Sequence, residues 1–390
     1  MTYKNRPWTT IENHLRTNYK IVGEVDLYHA CTDPLQVHQA LVNAKQQHYQ
    51  PEDKILVYHY DTEYYYSKNA VGVGLYNFLS SLHALDISPS VCMLLTNHYG
   101  IAKEIGNFYK EYYPKHDYIN DCVQVIESNY QQMQTPVTVQ DTNIDIDQIV
   151  YPYICLSGIK RPHRMLFLCL LKQANVLDQG LTAWHFAHNL DIDDNPVPKL
   201  QINTAPNCQF ITTIPSSRIC EWKIDNKQHQ QVWQTHHGFF ESNYKNPLIQ
   251  GLPNEKLHRF NIPAVSKSFL YIALETTFDY PYPYITEKTF RAIIQKRPFV
   301  VVGSPGSLKQ LKKLGFKTFD DFWNEDYDSM ENHADRMNAV VDIVKQISSM
   351  SVDSLKELCY NMQSIIEYNF QFYVNEYSKT KLESLLQNLK

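Results

Sequence analysis

Lys160, Arg161, His163 and Arg164 crowd the turn between an apolar run and a helical run in YICLSGIKRPHRMLFLCLL. Pro162 suits a first helical position, because it has no N–H to lose and its φ is preset. Leu166 with Leu170 and Phe167 with Leu171 give the helix an apolar face. The basic groups therefore sit at a helix N-terminus, where the dipole is already positive and further cations are unfavourable. An anion docked there, such as a diphosphate, reverses that balance. A solvated basic turn is the plainer alternative.

A second constellation is YPYITEKTFRAIIQKRPFVVVGSPG. Phe290, Ile293 and Ile294 form the stripe of a helix entered near Thr286, with Glu287 and Lys288 in its first turn. Glu there suits the dipole, whereas Lys does not. Side by side at the carboxyl edge of a sheet, the two fit ribose hydroxyls and phosphate respectively, against the alternative of a solvated helix start. Gly303-Ser304-Pro305-Gly306 then opens a further helix, with N–H groups expected to be free. A third candidate is Asp61 and Glu63 in VYHYDTEYYYSK, beyond a strand end, where open α/β sheets place ligands. Either carboxylate could take a proton from a hydroxyl, and Tyr64–Tyr66 could stack on a sugar; a polar loop is the alternative. Val71-Gly-Val-Gly74 lacks the Lys of a phosphate loop. No metal site is expected.

These groups need strands and helices to position them, and the two types alternate along the chain. Strands are expected at Ile55–Tyr60, Val91–Leu95, Cys122–Ile126, Tyr151–Leu156, Phe269–Leu274 and Phe299–Val302. Helices are expected over Ile101–Tyr109, from Pro162, over Thr286–Gln295 and Pro305–Leu314, and through Asp335–Met350 and Ser354–Leu389. Residues 186–265 show little periodicity. Polar residues between Gln131 and Gln148 mark a boundary. The expected architecture is α/β, with two Rossmann-like domains at 1–148 and 149–345 and C-terminal helices at 346–390 packing across both.

With 390 residues, 43% hydrophobic and 20% charged, the chain has material for large cores and is not of disordered composition. A net charge of -5 makes it a poor general polyanion binder. The eight cysteines form no C-x-x-C pair, and buried free thiols are expected. Met1–Leu15 holds no apolar signal core, and no run approaches the ~18–20 apolar residues of a membrane span. A cytoplasmic protein without a membrane span is expected.

The run FLYIALETTFDYPYPYITEKTFRAIIQKRPFVVVGSPG resembles the donor-binding region of the α-1,3-fucosyltransferase family and related GT-B glycosyltransferases. Their pattern is an apolar strand ending in Glu-Asn, then Tyr-x-Thr-Glu-Lys, an amphipathic helix, and a small-residue strand ending in Gly. The matching positions are Glu275, Tyr284, Thr286, Glu287, Lys288 and Gly303; Thr276 stands where the family has Asn. The resemblance covers about 40 residues. It implies that Tyr284, Glu287 and Lys288 hold a nucleotide sugar, and that the two domains face each other across a cleft. It also implies a metal-independent, inverting transfer to a glycan or other hydroxyl acceptor; the expected base, Asp61 or Glu63, comes from their place beyond a strand end and not from the resemblance. Arg161, His163, Arg164 and Ser304 complete the expected donor site. Two alternatives remain: a phage-type enzyme glycosylating DNA bases, with nucleic acid the less favoured partner, and a sugar-nucleotide-binding module without turnover.

Overall fold

The computed structural model describes residues 9–27, 33–47, 50, 52–59, 71–96, 145–157, 161–184, 200–205, 208–213, 224–242, 263–280 and 282–377, with shorter stretches within 100–110 and at 124–127. The chain divides into two compact units. The first comprises Met1–Thr135, Asp193–Glu221 and Thr380–Lys390, and the second Pro136–Ile192 and Trp222–Lys379. Both are α/β and Rossmann-like, each built on a four-stranded parallel sheet.

The first sheet has the order β1 (Ile21–Asp26), β2 (Lys54–His59), β3 (Cys92–Thr96), β4 (Gln124–Glu127). Alternate residues of a strand face opposite sides, and the core divides accordingly. Ile55, Val57, Cys92 and Leu94 face one cluster, completed by Val37 and Leu41 of α2 (Pro34–Gln46) and Phe78, Leu79 and Leu82 of α3 (Val71–Ala84). Leu56, Tyr58, Met93 and Leu95 face another, completed by Ile11 and Leu15 of α1 (Thr9–Asn18). Every crossover here steps in one direction, so right-handed connections place α2 and α3 on the same face. The helix α1 covers the other face. Asp33 caps α2, accepting from Gln36 N at 3.2 Å, and Pro34 occupies its first turn.

The second sheet has the order β10-β9-β5-β6, from β5 (Tyr151–Ser157), β6 (Leu181–Trp184), β9 (Ser268–Leu274) and β10 (Phe299–Val302). Connections diverge from its centre: β5 leads through α4 (Pro162–Gln173) to β6 on one side, and β9 leads through α7 (Glu287–Ile294) to β10 on the other. Right-handed crossovers then require α4 and α7 to lie on opposite faces. Two helix pairs follow that division. The helix α9 (His333–Ser348) packs on α4, β5 and β10, while α10 (Val352–Gln371) packs on α7, β5 and β9.

The expected strands, and the helices expected from Pro162, Thr286, Pro305, Asp335 and Ser354, are present, with most ends within one to three residues; the helix expected over Ile101–Tyr109 and the end of the last helix fall largely outside the described residues. Of the helical tail, the part through Lys379 belongs to the second unit and Thr380–Lys390 to the first. The region without clear periodicity contains a hairpin, β7 (Leu200–Ala205) and β8 (Cys208–Thr213), which lies against α2 and α3 of the first unit. It also contains α5 (Lys227–Ser242), which packs on α4, and the short α6 (Pro263–Ser266) leads from its end into β9. Cys92, Cys155, Cys169 and Cys359 are buried free thiols. No helix among the described residues is long and apolar enough to cross a membrane.

Candidate functional site

The strands β5 and β9 are neighbours, so the turns after them emerge together at the carboxyl edge of the second sheet, where the strand order reverses. Crevices of this kind are where open α/β sheets take ligands. The two constellations singled out in the sequence, 161–164 and 284–288, both lie here.

Glu275, the first residue after β9, is the hub. Its carboxylate is fully buried and accepts from Thr286 N at 2.9 Å, from Thr289 Oγ1 at 2.6 Å and, through the other oxygen, from Thr286 Oγ1. It thereby fixes the first turn of α7. Its backbone carbonyl accepts from Arg164 Nε and Nη2 at 3.2 and 3.0 Å and contacts His163 Nε2 at 3.0 Å. Gly303 lies alongside, and a Cβ there would meet Glu275 Cβ at 3.2 Å, so the close approach favours glycine.

This geometry changes the roles expected of several residues. Arg164 is only 2% exposed and turns its guanidinium inward to a strand-end carbonyl. A cation in the first turn of α4 repels the helix dipole, and the carbonyl supplies the missing negative partner. Glu275 is likewise inside the scaffold. His163 is fully buried and stacks on Phe278, with ring centroids 5.7 Å apart. Burial first, then the charges of Arg164, Arg161 and Lys288, hold its pKa well below 6.5 against the Glu275 carbonyl contact. It is therefore neutral, with Nε2 donating to that carbonyl. Arg161 and Tyr284 are also buried.

The glycine turn corrects a further expectation. The N–H groups at the start of α8 (Ser307–Lys313) are occupied: Gly306 N donates to Asp328 O at 2.7 Å, and Leu308 N and Lys309 N donate to the Asp328 carboxylate at 2.8 and 2.9 Å. Burial raises the pKa of Asp328 despite those two amides. Gly306 has φ 77°, which suits glycine. Ser304 Oγ is bonded to Thr277 Oγ1 at 2.9 Å.

Glu287 and Lys288 remain as the charged pair at the surface of the crevice. Their ion pair is 2.7 Å long, and Lys288 Nζ also donates to Thr276 Oγ1 and Thr286 Oγ1, each at 3.2 Å. Partial burial would raise the Glu287 pKa, but the Lys288 charge and hydrogen bond, with Arg291 behind, hold it down at about 2. Thr286 is the N-cap of α7, its Oγ1 accepting from Lys288 N at 3.3 Å.

Sequence reasoning missed Arg336. It is buried, donates to Gly303 O at 3.2 Å and to Phe278 O, and lies 4.3 Å from the Phe278 ring centroid. It ties the loops after β9 and β10 together, and burial lowers its pKa to about 10. Nothing in its helical sequence context distinguishes it from a solvated arginine. Thr289 gave no signal either: Thr286-x-x-Thr289 lacks the Glu or Gln of a capping box, and the Thr289 hydroxyl is used on Glu275. Asp61, Glu63 and Lys160 lie outside the described residues. No group of three or more His, Cys, Asp or Glu that could hold a metal occurs among the described residues.

No protein-family model, curated protein or solved structure matches this chain. The likeness to fucosyltransferases rests on the motif residues alone.

Proposed function

We propose that the protein is a GT-B glycosyltransferase that moves a sugar from a nucleoside-diphosphate donor to an acceptor hydroxyl, with inversion and without a required metal. The observation that carries this reading is the Glu287–Lys288 pair at a strand-order reversal, on a helix start held rigid by Glu275. Lys288 neutralises the diphosphate, and Glu287 accepts from ribose hydroxyls. As the sugar–oxygen bond breaks through an oxocarbenium-like state, negative charge grows on the leaving diphosphate, and a pre-set ammonium stabilises that growth. His163, Arg164 and Arg336 act as positioning residues, through the loops they hold. Asp61 or Glu63, the carboxylates beyond the end of β2 in the sequence, takes the acceptor proton.

The test is a thermal-shift and calorimetric screen of UDP-, GDP-, CMP- and dTDP-sugars in the presence of EDTA, followed by transfer and hydrolysis assays. A ligand at 100 times its dissociation constant stabilises by about 2.7 kcal/mol. One nucleotide class is expected to bind, with slow donor hydrolysis. Absence of binding by every nucleotide sugar would remove the reading. Binding without turnover, unchanged by Asp61→Asn and Glu63→Gln, would identify a binding module instead.

A further inference from the structure

Lys288 has no donor to spare in the free protein. An ammonium carries three N–H groups, and Lys288 Nζ has three acceptors: Glu287 Oε1 at 2.7 Å, Thr276 Oγ1 at 3.2 Å and Thr286 Oγ1 at 3.2 Å. The threonines are fixed. Thr276 and Thr286 are buried, and Thr286 is further tied to Glu275. Glu287 is the partner with freedom to move, its side chain 50% exposed against 22% for Lys288. A phosphate approaching Lys288 with Glu287 still in place would set like charges side by side, which is unfavourable. Exchange of partners removes that conflict.

We infer that Glu287 is an internal counter-anion that an incoming diphosphate displaces from Lys288, and that the vicinal hydroxyls of the ligand's ribose then take up the freed carboxylate. This rests on the nucleotide reading of the same crevice. The carboxylate accepts two charge-assisted O–H bonds from a cis-diol, whereas bare pyrophosphate offers it nothing and a 2′-deoxyribose only one hydroxyl. Recognition of phosphate and of ribose is thus one coupled event. The site selects ribonucleoside diphosphates over both pyrophosphate and deoxynucleotides. Thr276, where the resembled motif has Asn, supplies one of the two fixed acceptors that keep the ammonium in place during the exchange.

The experiment is isothermal titration of the full chain with inorganic pyrophosphate, UDP, GDP and their 2′-deoxy forms, in EDTA. Wild type, Glu287→Gln, Glu287→Asp and Lys288→Ala are compared, with thermal unfolding recorded for each. Exposed ion pairs are weak, so removing the competitor should tighten pyrophosphate roughly two- to fivefold in Glu287→Gln, while the preference for ribose over deoxyribose falls. Glu287→Asp keeps the charge but shortens the reach, and should also bind pyrophosphate more tightly than wild type. An Asp variant equal to wild type would reduce the effect to net charge and overturn the exchange. So would unchanged or weaker pyrophosphate binding by Glu287→Gln, or an unchanged ribose preference. If pyrophosphate responds as expected but wild type binds neither UDP nor GDP, the displacement stands and the nucleotide reading fails, taking the diol selection with it. If no variant binds any of these probes, both fail.

Discussion

In the first sheet every crossover steps the same way, from β1 across to β4; in the second, the steps diverge from between β5 and β9. The raw materials are alike, since both are four-stranded, parallel and buried by helices on two faces. Their buried polar groups are placed differently. Beside its apolar clusters the first unit buries Glu12, His38, Asp53, Asn77, Ser81 and Thr96, on several separate elements. At the divergence in the second, the interior holds Glu275, Arg164, His163, Arg336, Thr286 and Thr289. Strand order explains the contrast. Where neighbouring strands send their chains to opposite faces, the edge between them is left open. Loops over such an opening lack a close-packed ceiling, and they are held by hydrogen bonds to their own carbonyls.

From that contrast, the two sheets should fail in different ways. The largest effect is expected for Arg336→Ala. Removing a buried cation that donates to the carbonyls of Gly303, Phe278 and Met330 leaves those acceptors unpaired, at about 1–3 kcal/mol each. Hydrogen exchange should quicken in β9 and β10 while β2 and β3 stay protected; equal loss in both sheets would mean the units unfold together. Met93→Ala should do the reverse. It removes a fully buried side chain from the first sheet, at about 2–5 kcal/mol, and should leave nucleotide affinity of the folded protein unchanged. A fall in that affinity would break the separation.

Lys288→Ala sharpens the comparison from the ligand side. Loss of a charge-assisted bond worth about 1.5–3 kcal/mol should weaken diphosphate binding about 10- to 100-fold, with little change in the melting temperature of either unit. The smallest effect is a pH slope. His163 stays neutral in the folded state well below 6.5, whereas the unfolded chain takes up a proton there. Stability is therefore complete above the unfolded value and falls as pH drops, by at most about 1.4 kcal/mol per pH unit. Denaturant titrations should show the slope in the wild type and a flatter one in His163→Gln; equal slopes would assign it to other groups.

The strands were legible because a parallel strand covered on both faces is a bare apolar run, as in ILVY, VCMLL, FLYIAL and FVVV. The turn at Pro162 and the stripe of Phe290, Ile293 and Ile294 were legible for equally local reasons. The strand β1, IVGEVD, was not, since glycine and two acids break its run. The helix α5 also escaped, because its polar sequence presents few apolar residues to α4. In the site, the presence of charge could be read but not its direction. Arg164 looks like a ligand group until β9 is known to be the neighbour of β5, which puts the Glu275 carbonyl within its reach. The start of α8 looks vacant until Asp328, 20 residues beyond Leu308, is seen to fill it. Both facts belong to strand order and loop return, which periodicity does not encode.

The hairpin β7–β8 has a consequence for the order of events at the ribosome. It lies against α2 and α3, yet it follows β5 and β6 in the chain. Synthesis runs from the N-terminus, so the surface that receives the hairpin is made long before the hairpin itself. A ribosome that has already produced two strands of the second sheet has not yet delivered this cover of the first.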